Sequence, residues 1–110
     1  MEYRALGKTG MSVSEVGLGC EHLQGKSRET VERVVHAALD GGVNVLDVFM
    51  SEPQVRTDIG AALRGRRDKV ILTGICGGVW REGRFARAGA IAVCRPFFEL
   101  FVRGVEPPIL

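Results

Sequence analysis

Apolar residues recur along the chain in two alternating patterns, one with the period of a helix and the other in short continuous runs. The first helical stretch follows Ser27, which is a typical N-cap, and Glu29 in its first turn favours the positive end of the helix dipole. The apolar residues of this stretch fall at intervals of three and four and share one face: Val31, Val34, Val35, Ala38 and Leu39. The pair Gly41-Gly42 is a typical stop, so the pattern predicts a helix between Ser27 and Gly41.

Short apolar runs on both sides of this helix predict strands. Val16 to Gly19 is one such run, and residues 43–48 form another that is rich in β-branched side chains, typical of a strand buried on both faces. The alternation then repeats, with a second helix capped by Ser51 and ended by Gly65, and a third strand over residues 69–74. The apolar face of the second helix consists of Val55, Ile59, Ala62 and Leu63.

The two ends of the chain have other patterns. Residues 1–15 predict a hairpin, because Gly7 and Gly10 flank a short polar turn. After the third strand we expect a loop over residues 76–87 and a third helix over residues 89–103, with Pro96 near its middle.

Strands that alternate with helices through short connections indicate βαβ units around a parallel sheet. We therefore expect an α/β fold in a single domain, residues 1–110. The domain begins with a hairpin over residues 1–15. Three β/α units follow, over residues 16–42, 43–65 and 69–104, and an irregular tail covers residues 105–110. The order of elements fits a barrel or a doubly wound sheet, but Gly17 to His22 lacks the third glycine of the dinucleotide-binding fingerprint.

Composition and charge exclude several classes of protein. The chain has 45% hydrophobic and 25% charged residues, which is ordinary for a folded domain and argues against disorder. Fifteen basic residues against 13 acidic ones give a net charge of +2, so we expect no preference for nucleic acid or membrane. The densest basic run, residues 64–69, predicts either a phosphate-binding patch or a solvated helix end, and we favour the helix end.

The cysteines, Cys20, Cys76 and Cys94, are odd in number and none has the spacing of a metal-ligand pair. We expect reduced, mostly buried thiols and no metal site. Since the sequence shows no signal peptide and no apolar stretch of membrane length, we also expect a cytoplasmic location.

Several blocks of the sequence resemble the aldo/keto reductase family. The blocks are residues 2–10, 13–19, 37–47 (AALDGGVNVLD) and 59–70. Their order and spacing also fit the family, and the match extends to about residue 77. Residues 19–23 and 47–52 look most like a bacterial subgroup, some of whose longer members carry iron–sulfur cluster cysteines.

The resemblance implies a (β/α)8 TIM barrel closed at its bottom by the N-terminal hairpin. It also implies reversible hydride transfer between NADP(H), less often NAD(H), and a small carbonyl or alcohol substrate. A complete barrel of this kind takes roughly 250 residues. At 110 residues we therefore expect the hairpin and about three units of a barrel, from a truncated or frame-shifted reading frame.

A catalytic set of Asp, Tyr, Lys and His is also implied by the resemblance, and this chain matches one member. Asp47 stands at the end of the second strand, in the place of the aspartate. Residues 49–51, Phe-Met-Ser, stand where the tyrosine is expected, and Ile75 or Gly74 takes the place of the lysine. The histidine belongs to the end of a fourth strand that this chain hardly reaches. The resemblance also implies that the loop after the first strand contacts the cofactor, at Gly19, Cys20 and Glu21.

Each singled-out residue also has a structural interpretation. Asp47, without its partners, could instead accept hydrogen bonds from loop N–H groups, and we place this role slightly ahead of catalysis. Cys20 could be a small buried hydrophobe. We expect His22 on a surface loop, His36 near the polar face of its helix, and Trp80 packed over the barrel mouth rather than stacked on a ligand.

Three functions follow from these observations. The first is an aldo/keto reductase-like NAD(P)H-dependent oxidoreductase, incomplete and weakly active or inactive as this chain. The second is a non-catalytic truncated remnant or half-barrel that self-associates, because open sheet edges invite pairing with other chains. The third is a small anion- or nucleic-acid-binding module that uses residues 64–69.

Overall fold

A computed structural model describes residues 1–48, 52–74, 78–81 and 84–87, the last two ranges as backbone only. Four predictions therefore fall outside the described residues. They are the third helix, the irregular tail, the burial of Cys76 and Cys94, and the packing of the Trp80 side chain.

The predicted N-terminal hairpin is present in the structure. Strands β1 (Tyr3–Ala5) and β2 (Ser12–Ser14) pair antiparallel, with Tyr3 opposite Ser14. The connection uses the two glycines that predicted it, since φ is 54° at Gly7 and 77° at Gly10, a region that L side chains rarely adopt.

Side-chain hydrogen bonds hold this hairpin against the segment that leads into the second apolar run. Tyr3 Oη donates to the carbonyl oxygen of Gly42 at 2.7 Å. Ser14 N donates to Asn44 Oδ1 at 2.8 Å, and Asn44 N donates to Ser14 Oγ at 3.0 Å. Asn44 Nδ2 also donates to the carbonyl oxygen of Ser12 at 2.9 Å. The hairpin therefore lies at the amino end of the strand that begins directly after Asn44.

A three-stranded parallel sheet follows the hairpin. Its strands, in spatial order, are β3 (Leu18–Gly19), β4 (Val45–Asp47) and β5 (Ile71–Thr73), so β4 lies in the middle. All three are shorter than the apolar runs that predicted them. β5 begins late because a 3₁₀ turn over Arg67–Lys69 takes up the start of its run.

The first helix, α1, runs over Arg28–Asp40, as its pattern predicts. Ser27 is its N-cap, and Ser27 Oγ accepts a hydrogen bond from Thr30 N at 3.3 Å. Gly41 is the C-cap, and Gly42 follows with a φ of 89°, which favours glycine. The cap and the stop signals in the sequence therefore lie where the helix begins and ends.

The second helix, α2, runs over Pro53–Ala62. Glu52 occupies its N-cap position, so the prediction that Ser51 caps this helix is wrong by one residue. Proline at the first helical position explains the difference, because its φ suits a helix and its missing N–H would have no partner there. Gly65, which predicted the end of the helix, has a φ of 73° three residues after its last residue.

The core lies between the two helices and the sheet. The predicted apolar faces of α1 and α2 point into it, and Val31, Val35 and Ile59 have no exposed surface. Val34 and Leu39 are half-buried and pack against it. The core cluster consists of Cys20, Leu23, Val31, Val35, Leu46, Val48, Val55, Ile59, Ala62, Leu63 and Val70.

Three polar side chains of the helices are less exposed than their sequence pattern indicates. His36, predicted near the polar face of α1, is half-buried instead, because its Nε2–H reaches the carbonyl oxygen of Ala62 in α2 at 2.8 Å. Arg56 and Asp58 are 4% and 2% exposed. Both make hydrogen bonds within one turn of α2, which lowers the free-energy cost of burying them.

The predicted loop over residues 76–87 contains strands. β6 (Gly78–Arg81) and β7 (Arg84–Arg87) pair antiparallel, with Trp80 opposite Phe85. The loop prediction is therefore wrong over these eight positions. The sequence signal was two β-favouring runs separated by two residues, one of which is glycine.

The described residues have the predicted α/β class. They form a hairpin, a parallel sheet with its two crossover helices, and a second hairpin. These strands do not close a barrel on their own.

Candidate functional site

The carboxyl ends of the three parallel strands bring three residues into one row. Gly19 of β3 is opposite Asp47 of β4, and Asp47 is opposite Thr73 of β5. Since the strands are parallel, their carboxyl ends lie at one edge of the sheet, where α/β proteins commonly bind ligands. This row, Gly19, Asp47 and Thr73, is the candidate site, and we call it the strand-end row.

Asp47 lies in the centre of the row and is half-buried. Its Oδ1 accepts a hydrogen bond from Thr73 Oγ1 at 3.1 Å. Its backbone oxygen accepts from Cys20 N at 3.1 Å. Among the described residues, the donor to the Asp47 carboxylate is therefore a hydroxyl on the neighbouring strand, and the loop N–H group binds the backbone instead.

Cys20 follows β3, and its side chain points into the core, where it is fully buried. Burial, as the larger cause, and the nearby Asp47 carboxylate, as the smaller, together raise the pKa of the Cys20 thiol from 9.0 to about 12. The sulfur lies 3.7 Å from the carbonyl oxygen of Leu18, which a protonated thiol can use as an acceptor. Cys20 thus has the small-hydrophobe role that the sequence allowed, and its thiol is not presented to a ligand.

Gly19 and Glu21, the other two predicted cofactor contacts, are both exposed. A Cβ at Gly19 would meet no atom within 4 Å, so a ligand can approach the backbone there. Glu21 begins a 3₁₀ turn over Glu21–Leu23 and carries a carboxylate, which attracts hydroxyl and amide donors and repels phosphate. Residues 19–25 contain no lysine or arginine. They therefore offer no lysine or arginine side chain to a phosphate group.

The positions of the missing catalytic residues are described only in part. Gly74, in one of the two places considered for the lysine, is exposed and has no side chain, while Ile75 and residues 49–51 lie outside the described residues. His22 is exposed, as predicted for a surface loop. Tyr3, the chain's one tyrosine, donates its hydroxyl to the carbonyl oxygen of Gly42 near the amino end of β4, whereas the strand-end row lies at the carboxyl end.

Thr73 is the site residue that sequence reasoning missed. It ends an apolar run one position before Gly74. Only the pairing of β4 with β5 shows that it is opposite Asp47. The available signal was that two parallel strands end in polar residues, whose side chains then meet at one sheet edge.

Two arginines of the basic run have partners within the fold. Arg66 Nη1 donates to Asp40 Oδ1 at 2.6 Å, and Arg67 Nη1 donates to the carbonyl oxygen of Val70 at 2.6 Å. The first bond ties the segment after α2 to the last residue of α1, and the second lies within the 3₁₀ turn that precedes β5. The basic run therefore acts structurally at both positions.

Within the described ranges, no group of three or more His, Cys, Asp or Glu side chains is placed to hold a metal ion. The helices of those ranges include none that is long and apolar enough to cross a membrane.

Comparisons with known proteins agree with the geometry. No family model matches the chain. The uncharacterised oxidoreductase YqkF of Bacillus subtilis is 33% identical to it over 85 residues, which are 76% of this chain and 28% of that protein. An aldo-keto reductase from Bacillus halodurans in its holo form superposes with a TM-score of 0.86 at 27% identity, over 96% of this chain and 37% of that one. The glycerol dehydrogenase from Gluconobacter oxydans superposes with a TM-score of 0.78 at 23% identity, over 94% of this chain and 35% of that one.

These likenesses support the resemblance to aldo-keto reductases in fold and to an oxidoreductase in sequence. The chain spans 28% to 37% of the length of these three proteins. The likeness to the iron–sulfur subgroup gains no support from them and stays a prediction.

Proposed function

We propose that this chain, as a single domain over residues 1–110, forms the nicotinamide-proximal part of an aldo-keto reductase-like oxidoreductase. The proposed cofactor is NADP(H) or NAD(H), and the proposed substrate is a small carbonyl or alcohol. By itself the chain is expected to turn over weakly or not at all. A cytoplasmic location remains a prediction from the sequence.

The observation that carries the proposal is the position of Asp47 in the strand-end row. A half-buried carboxylate at the carboxyl end of the middle parallel strand has an open glycine backbone at Gly19 on one side and a hydroxyl at Thr73 on the other. Such convergence of polar groups at the carboxyl edge is typical of sites in this class of fold. The likeness in fold to an aldo-keto reductase, with a TM-score of 0.86, supports the proposal.

The expected weak activity follows from which groups at this edge of the sheet can donate a proton. A bound nicotinamide would supply or accept the hydride, and reduction of a carbonyl also needs a proton donor at its oxygen. The Asp47 carboxylate is an acceptor, and the Thr73 hydroxyl already donates to it. The described part of the strand-end row therefore binds and orients donor groups but does not provide an acid for the carbonyl oxygen.

Cofactor binding tests this proposal directly. We expect NADPH fluorescence to change on titration with the chain and the change to weaken in Asp47→Asn, because the carboxylate would lose its charge towards donor groups of the ligand. The matched control is Asp40→Asn, which neutralises an exposed carboxylate paired with Arg66. Absence of any fluorescence change with NADPH and NADH at saturating protein would sink the proposal.

A second function, a self-associating partial barrel without catalysis, has its own observation. In the described residues β3 and β5 each have one neighbour in the sheet, so each leaves an edge without a strand partner. Unpaired edges bind other strands readily. Size-exclusion chromatography with light scattering separates the two: a concentration-dependent oligomer without cofactor binding favours the partial barrel, and a monodisperse monomer contradicts it.

A further inference from the structure

The Thr73 hydroxyl makes the one hydrogen bond to the Asp47 carboxylate found among the described residues. Its oxygen lies 3.1 Å from Asp47 Oδ1 and 3.5 Å from the carbonyl oxygen of Leu46. A hydroxyl has one proton to donate, and a bond to an ionised acceptor is the stronger of the two. The shorter contact to the carboxylate is therefore the hydrogen bond, and the contact to Leu46 is secondary.

The backbone fixes this hydroxyl in place. Thr73 pairs with Asp47 in the register of β4 and β5, and its carbonyl oxygen accepts from Val48 N at 2.8 Å. A β-branched side chain such as threonine has few χ1 rotamers on a strand. The donor therefore stays on the β5 side of Asp47 without help from a flexible side chain.

We infer that Thr73 is a positioning residue, whose hydroxyl holds the Asp47 carboxylate at the strand ends and leaves its remaining acceptor capacity for a donor group of the bound nicotinamide–ribose or of the substrate. An ionised carboxylate has about four lone-pair sites, and Thr73 occupies one of them. Only the identity of the ligand group that the Asp47 carboxylate binds rests on the proposed function. That Thr73 positions Asp47 is a separate claim and has its own test.

Cys20 is a reporter of the carboxylate position. It follows β3, so it lies on the opposite side of β4 from Thr73. The Asp47 charge contributes to the raised pKa of the Cys20 thiol. A carboxylate released by Thr73 can turn towards β3, and the pH dependence of Cys20 alkylation then shifts to higher pH.

The first experiment compares alkylation of Cys20 by iodoacetamide, resolved by peptide mass spectrometry, in the wild type, Thr73→Val, Thr73→Ser and Thr73→Ala. We expect the profiles of the valine and alanine variants to shift to higher pH and that of the serine variant to stay with the wild type. In an Asp47→Asn background, Thr73→Val should cause no further shift. Wild-type behaviour of the valine and alanine variants, or the same shift with and without the Asp47 charge, would overturn the inference.

The second experiment measures NADPH affinity for the same variants. Loss of a hydrogen bond to a charged group weakens affinity by about tenfold, so we expect about that loss in Thr73→Val, and near wild-type affinity in Thr73→Ser. In the Asp47→Asn background Thr73→Val should have no further effect on affinity. If the wild type binds no cofactor, the proposed function fails, and the alkylation profiles still decide whether Thr73 positions Asp47.

Discussion

Replacing Asp47 with asparagine removes a negative charge that opposes ionisation of Cys20. The pKa of the Cys20 thiol is raised from 9.0 to about 12, first by burial and second by Asp47. Below pH 9 the thiolate fraction of Cys20 is therefore about a thousandfold lower than that of an ordinary thiol, since a pKa of about 12 instead of 9.0 changes the fraction tenfold for each pH unit of difference. Because burial is the larger cause, Asp47→Asn should recover less than half of the shift, and the thiolate fraction should rise by at most about thirtyfold.

Alkylation by iodoacetamide below pH 9 measures this rise, because the thiolate is the reacting species. The Cys20 peptide is followed by mass spectrometry separately from the Cys76 and Cys94 peptides. Below the pKa, log rate rises with pH at the same slope in both proteins, so the vertical offset between the two lines gives the change in pKa. The slow access to a buried sulfur is common to both proteins and cancels in this offset.

The matched control is Asp40→Asn, which neutralises an exposed carboxylate paired with Arg66 at 2.6 Å. We expect the control to alkylate at the wild-type rate. Equal rates in Asp47→Asn and the wild type would refute the reasoning, because they would show that Asp47 exerts no field at the sulfur. An increase beyond about thirtyfold would also refute it, since Asp47 would then outweigh burial.

Three further predictions concern stability. Asn44→Ala should lower the free energy of unfolding in urea by about 2 kcal/mol, because the buried Ser14 N–H loses its acceptor and the Ser12 carbonyl loses its donor; an unchanged free energy of unfolding would contradict this account. Gly42→Ala should lower the free energy of unfolding in the same assay by at least about 1 kcal/mol. The backbone φ there is 89°, which disfavours an L side chain, and an alanine Cβ would lie 2.9 Å from Met1 Cβ. An unchanged urea midpoint would contradict this prediction. The pKa of Cys20 in the folded protein lies above the ordinary thiol value. Cys20 therefore contributes fully to stability below pH 9, and the free energy of unfolding falls by about 1.4 kcal/mol for each pH unit between pH 9 and about pH 12. Urea unfolding measured between pH 9 and pH 12 should show this fall in the wild type and not in Cys20→Ala. The same pH dependence in both proteins would contradict the prediction.

Sequence patterns predicted the elements whose causes are local. Ser27 caps α1 through a bond to a residue three positions away, and Gly42 ends it through its own φ. The two apolar helix faces follow from the period of the helix, and both enter the core. Ser51 was placed wrongly at the start of α2 because Pro53 fits the first helical position and leaves Glu52 at the cap.

The candidate site was predicted in part, because only some of its features have local causes. Asp47 was identified from a resemblance between sequence blocks, and its place at a strand end follows from the apolar run before it. Its partner Thr73 was missed, because 26 positions separate them and only the strand register brings them together. The half-burial of His36 could not be predicted for the same reason, because its acceptor, Ala62, also lies 26 positions away.

By itself the sequence determined the alternation of strands and helices, the ends of α1, the apolar faces and the similarity of blocks to a known family. These follow from dihedral preferences and from periodicity within a few residues. The tertiary structure decided which polar side chains meet, as in the Tyr3 bond to Gly42 and the Thr73 bond to Asp47. Such contacts depend on strand order and register, which are set by packing of the whole sheet against its helices and cannot be determined from a few neighbouring residues.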